Sequence, residues 1–214
     1  MKQKIITLVC NKGGVGRSTT TQNVSYKLAE MGYKVLVVDV DSQANTSVTL
    51  SLDYENQVIK GGKSITDMLE SDNGYFSDFI SQTRHENLDL LASSWKLDLT
   101  EVNIRNDIAS NTILKDRFDT NCKEKYDFII FDTSPRKYDK FLHNAFVMSD
   151  YYWYIIGAED IWALDARRVM DKVVDSIKTL NNKLQPLPIL LTKYRSNVIQ
   201  CQVMKTTCDA EFDN

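Results

Sequence analysis

The sequence is poor in the residues that would set it apart from an ordinary globular protein. Three prolines and eight glycines in 214 residues exclude a collagen-like or linker-rich chain. Two histidines and four scattered cysteines (Cys10, Cys122, Cys201 and Cys208) include no Cys-x-x-Cys pair. Neither a zinc site nor a disulfide framework is expected from them, and a reducing compartment is the default. No apolar run approaches the ~20 residues that a membrane-spanning helix needs. The apolar stretch after Lys4 gives way at once to Asn11-Lys12-Gly13-Gly14, too soon for a secretory leader. Charge of one sign is not in excess either. With 26 Lys and Arg against 29 Asp and Glu, the net charge is −3, and composition alone does not mark a nucleic-acid binder.

What is present is a 43% hydrophobic, 26% charged chain of a length that suits one domain over residues 1–214. Apolar runs at Ile5–Cys10, Val35–Val38, Phe128–Phe131, Tyr154–Ile156 and Pro188–Leu191, with a weaker one at Leu88–Leu91, read as strands. They are continuous rather than alternating, which predicts strands buried on both faces of a parallel sheet. Between them, Val24, Leu28 and Met31 share a helical face that Gly32 ends. Residues 161–180 read as a long amphipathic helix carrying Leu164, Val169, Val173, Val174 and Ile177 on one side. A short helix is expected at Ile65–Leu69 after the Gly61-Gly62 break. The expected fold is α/β, a doubly wound, mostly parallel sheet with helices on both faces. The aromatic run Tyr151–Tyr154 reads as a strand rather than a base-stacking platform. Lys123-Glu124-Lys125 reads as a solvated turn.

Between the first strand and the first helix stands Asn11-Lys12-Gly13-Gly14-Val15-Gly16-Arg17-Ser18-Thr19. Glycines in this context let successive backbone N–H groups face one anion, and the following helix adds its positive end. Ser18 has a hydroxyl where a Mg²⁺ beside those phosphates would need one. Asp39, Asp41 and Asp132 end apolar strands, where a carboxylate requires a cation or a turn to cap.

Lys12–Thr19 resembles the deviant Walker A loop of the ParA/MinD superfamily of P-loop ATPases. Asp39-Val40-Asp41-Ser42-Gln43-Ala44-Asn45-Thr46-Ser47 is similar to the segment after the second strand in ParA/Soj partition ATPases. Tyr126–Pro135 is similar to the family's Walker B and switch II, and Glu159–Leu164 and Leu191–Tyr194 to later segments. The resemblance implies that ATP and Mg²⁺ are bound by Asn11–Thr19, with Ser18, Asp39 and Asp132 on the metal side, partly through water. It implies that Lys12 reaches across a nucleotide-sandwich homodimer to the partner's ATP, and that Asp41 positions the attacking water. It further implies non-specific DNA binding by the ATP dimer, release on hydrolysis stimulated by a ParB-like partner, and a cytoplasmic, nucleoid-associated location.

Two departures qualify that picture. Arg17 stands where the family has lysine, and a planar fork is not equivalent to a compact ammonium. Slow ATP hydrolysis is therefore expected, and the alternative reading is a nucleotide-binding regulatory protein with little catalysis. After Thr192 the sequence shows no clear strand, so the family's further strand and helix around adenine are not expected. The usual Asp-x-Arg is not reproduced at Arg195-Ser196-Asn197, and Arg167, Arg168, Lys172, Lys193 and Arg195 read equally well as a DNA face or as solvated charges. The acidic stretch Thr206–Asn214 lacks the basic face of a membrane-binding helix, so no membrane attachment is expected.

Overall fold

The computed structural model describes residues 2–104, 108–136, 139–160 and 162–212. In chain order its elements are β1 (Lys4–Val9), α1 (Arg17–Glu30), β2 (Val35–Val40), α2 (Asn45–Leu50), α3 (Ile65–Glu70), α4 (Phe76–Phe79), β3 (Ser81–Gln82), β4 (Leu88–Leu91), α5 (Leu97–Ile104), α6 (Ile113–Asp116), α7 (Thr120–Lys125), β5 (Phe128–Thr133), α8 (Lys140–Met148), β6 (Tyr151–Gly157), α9 (Ala163–Ile177), β7 (Gln185–Pro186), β8 (Leu190–Thr192) and α10 (Ile199–Phe212). Tyr54–Ile59 form a turn of π-helix ahead of Gly61.

The sheet runs β3-β4-β2-β5-β1-β6-β7, with β8 pairing further along β6. Every pairing is parallel except β3 with β4. All six residues of β2 and all four of β4 are buried, as continuous apolar runs demand of strands covered on both faces. Packed apolar groups fill both sides. Leu36, Val38, Phe131, Phe141 and Met68 gather in one cluster, and Val35, Val37, Leu88, Leu90 and Ile130 in another. A third joins β6 to α8, α9 and α10 through Phe146, Tyr154, Met170, Val174 and Met204. The chain order reverses around β1, so the carboxyl ends of β1, β2 and β5 open at the crevice where such sheets bind ligands.

Several helices differ from the expectation. The buried stripe of α1 is Arg17, Thr21, Ser25 and Ala29, while Met31 is 62% exposed. The small side chains of Thr21, Ser25 and Ala29 are enclosed against the strands, while Val24 and Leu28 pack partly buried against the same core. Lys123–Lys125 end the helix α7, where Lys125 pairs with Asp89 at 2.7 Å. Residues beyond Thr192 fold into α10, held by buried Cys201, Met204 and Cys208. The long amphipathic stretch is a helix over Ala163–Ile177, burying Met170, Val173, Val174 and Ile177; Ile161 lies outside the described residues.

Candidate functional site

The turn from β1 into α1 is shaped by two glycines with left-handed backbones, Gly14 at φ 76° and Gly16 at φ 92°. A side chain at Gly14 would meet nothing within 4 Å; the requirement there is conformational. Gly16 precedes α1 with no side-chain cap, so the first N–H groups of a 14-residue helix point outward with the helix dipole behind them. Thr192 anchors the loop from β8, its hydroxyl 2.6 Å from the Val15 carbonyl and 3.1 Å from that of Ile156. Nothing in the spacing around Thr192 announced this contact, because it closes over 177 residues of chain.

Gly13, Gly14, Val15, Gly16, Arg17, Ser18 and Thr19 line a cavity of about 590 Å³, together with Gln22, Asp41, Gln43 and Asn45. Asn11 and Lys12 lie instead, with Val15, on a neighbouring cavity of about 270 Å³ walled by Tyr154, Asp160 and Trp162. Lys12 is exposed, and its ammonium lies 3.1 Å from Asp160.

The three strand-end aspartates come together beneath the loop. β2 and β5 set Asp39 directly beside Asp132. Both are fully buried. Asp39 turns toward α2, where Oδ2 accepts the Ser47 backbone N–H at 2.9 Å and its hydroxyl at 2.7 Å, while Oδ1 accepts the Asp41 N–H at 3.0 Å. Burial and the adjacent Asp132 push the Asp39 carboxyl up to about 7, against the pull of those donors. Asp132 accepts from the Arg17 Nε at 2.7 Å and from the Thr46 hydroxyl at 2.6 Å. Asp41 accepts from the Arg17 Nη2 at 2.6 Å and from the Gln43 N–H at 3.0 Å.

Arg17 is thus a hub: its Nη1 also lies 3.5 Å from the Cys10 sulfur. Burial works against its charge, but Asp132, Cys10 and Asp41 outweigh burial and hold its pKa above the usual value. The guanidinium spans two carboxylates and a thiol, a geometry that a single ammonium cannot reproduce.

The cradle of backbone N–H groups and the cavity fit a polyphosphate. The carboxylate side of a Mg²⁺ site does not fit as the side chains stand. Each oxygen of Asp39 and Asp132 already accepts a protein hydrogen bond, and a guanidinium occupies the cation position beside Asp132. Ser18 alone of the three metal-side residues lines the cavity. Asp39 instead joins β2 to the first turn of α2. The sequence contains the signal for that cap in Thr46-Ser47, seven and eight residues after Asp39, but which carboxylate each hydroxyl serves is a tertiary matter.

Beyond β5, Arg136 pairs with Asp139 at 2.9 Å and with Asp98 and Glu101 of α5 at 3.0 and 3.1 Å. The segment following Asp132 is thereby fastened to α5. Of the basic residues near the chain's end, Lys193 pairs with Glu159 at 3.0 Å and Arg167 approaches Asp171 at 3.7 Å. No helix among the described residues is long and apolar enough to cross a membrane.

The AAA_31 family model, described as an AAA domain, matches residues 3–186. An uncharacterized protein of Methanocaldococcus jannaschii is 34% identical over 200 residues, 89% of this chain and 73% of that one. The sporulation initiation inhibitor protein Soj of Bacillus subtilis is 35% identical over 132 residues, 62% of this chain and 50% of Soj. Among solved structures, a plasmid partition protein from Borrelia burgdorferi superposes with a TM-score of 0.78 at 27% identity, covering 96% of this chain and 85% of that one. The chain therefore spans only part of the length of these relatives, down to half for Soj.

Proposed function

The chain belongs to the AAA_31 family of AAA domains, within the ParA/MinD superfamily of P-loop ATPases, and from that premise we propose that it is a ParA-like ATPase of DNA partition. The observation that carries the reading is the nest between β1 and α1, with Lys12 exposed at its rim and Asp41 on its floor. ATP takes its phosphates into that nest. Ser18, on the wall of the cavity, is the residue that would hold a Mg²⁺, which would supply charge neutralisation between the phosphates. Asp41 orients the attacking water, and its ion pair with Arg17 fixes the position of its carboxylate.

Lys12 serves a second subunit. Its pair with Asp160 is exposed on the lysine side, and such pairs are worth at most about 1 kcal/mol. Losing it costs little against the gain of neutralising a partner's triphosphate. The ATP-bound homodimer then binds DNA without sequence preference, in the cytoplasm at the nucleoid, and a ParB-like partner stimulates hydrolysis and release.

Hydrolysis by the chain alone is slow. Three of the five N–H donors of Arg17 are committed to Asp132, Asp41 and Cys10, which ties the guanidinium to the floor and limits how far it can follow a phosphate whose charge changes in the transition state. This favours, as the second reading, a nucleotide-binding regulator with little turnover. Phosphate release by Arg17→Lys separates the two: a rise of about tenfold, or ~1.4 kcal/mol of barrier, identifies a slowed ATPase, and no rise identifies the regulator.

Sedimentation velocity tests the sandwich. ATP is expected to convert monomer to dimer, and Lys12→Ala to abolish that shift while leaving the monomer folded. A chain that stays monomeric at ATP concentrations that saturate binding overturns the dimer.

A further inference from the structure

Resting on the nucleotide-binding reading above, we propose that Arg17 is a built-in counter-cation that makes nucleotide binding by this chain independent of a divalent ion. A divalent ion at a phosphate site does two things. It neutralises the carboxylates that would repel the phosphates, and it bridges phosphate oxygens to the protein. The first task is already done in this fold. The Arg17 Nε and Nη2 lie 2.7 Å from Asp132 and 2.6 Å from Asp41, and of the three strand-end carboxylates Asp41 is the one that lines the cavity. The third strand-end carboxylate, Asp39, is turned away and held by Ser47 and the Asp41 backbone.

The arrangement is fixed rather than incidental. Arg17 is 7% exposed, Asp132 fully buried and Asp41 5% exposed, and breaking a buried ion pair strands an unpaired charge in low dielectric. Thr46 closes the remaining oxygen of Asp132, and Gln22 of α1 donates in turn to the Thr46 hydroxyl at 3.3 Å. The position of Arg17 is also specific to its shape. Nε and Nη2 are separate donors on one rigid plane, each committed to a different aspartate, whereas a lysine presents a single nitrogen. An incoming polyphosphate meets the N-terminus of α1 and the loop N–H groups above a floor whose carboxylates are already paired.

Isothermal titration calorimetry of the full chain with ATP, in Mg²⁺ and again in excess EDTA, tests this. The wild-type affinity is expected to change by less than about threefold between the two conditions, and that of Arg17→Lys to fall by about tenfold or more in EDTA. A wild-type affinity that collapses tenfold in EDTA overturns the counter-cation role and leaves the nucleotide-binding reading standing. An absence of ATP binding in both conditions overturns that reading and this inference with it. The wild-type comparison stands by itself if Arg17→Lys does not fold, and equal EDTA sensitivity in two folded proteins overturns the assignment to Arg17.

Discussion

At Asp39 three donors converge on one buried carboxylate, and the Ser47 hydroxyl that donates to it also accepts the Ser93 N–H at 2.7 Å. One side chain therefore ties β2, α2 and the segment after β4. Its loss would leave buried N–H groups without acceptors, each costing about 1–3 kcal/mol. Asp39→Ala is expected to lower unfolding stability by about 3 kcal/mol in metal-free protein, and Asp39→Asn by less, since an amide keeps one acceptor. Urea unfolding in EDTA checks it. A carboxylate that served chiefly to bind metal would show no such loss. Arg17 sits at the same scale and is more legible in sequence: its identity departs from the family pattern, but only the folded chain shows that it looks inward to Asp41 and Asp132.

At the scale of elements, α1 separates two meanings of amphipathicity. Hydrophobic spacing put Val24, Leu28 and Met31 inward; Val24 and Leu28 do pack against the core, Met31 is exposed, and the fully enclosed positions are Thr21 and Ser25, with Ala29 nearly so. The middle of α1 meets the sheet through the small side chains of Thr21, Ser25 and Ala29, with Val24 and Leu28 packed beside them against the same core. Ser25→Leu is accordingly expected to destabilise by about 1–3 kcal/mol through overpacking, and Met31→Lys to shift stability by no more than ~0.5 kcal/mol. Thermal or urea denaturation of the two variants reads the contrast, and the reverse order would mean that the hydrophobic face is the packed one. The strands behave differently. Runs such as Val35–Val40 and Phe128–Thr133 were legible because both faces are buried, which leaves no room for ambiguity about inward and outward positions.

Across the whole molecule, a net charge of −3 gives no general attraction to DNA. Lys193 and Arg167 are each near an acidic neighbour, which dilutes any basic surface in one subunit. If partition is the function, DNA affinity must come from two subunits presenting basic groups together. Binding to a random duplex is then expected only with ATP, and it should weaken about tenfold or more between roughly 50 and 200 mM salt, as phosphate neutralisation requires. Fluorescence anisotropy with ATP and with ADP measures both. Binding that ignores the nucleotide, or ignores salt, would place the chain outside DNA partition.

The fold class and the phosphate nest were determined by the sequence itself, because both are local. Continuous apolar runs define strands buried on two faces, and glycines between a strand and a helix define a nest over a few residues. The uses of the three strand-end aspartates were decided only by tertiary structure. Sequence shows three equivalent carboxylates on strand ends, but strand register sets Asp39 against Asp132, and two unpartnered charges cannot share a buried position. The chain resolves that conflict by turning Asp39 to α2 and giving Asp132 and Asp41 to Arg17. Arg17 lies 24 residues from Asp41 and 115 from Asp132 along the chain, and electrostatic pairing over such separations leaves no period or spacing to read.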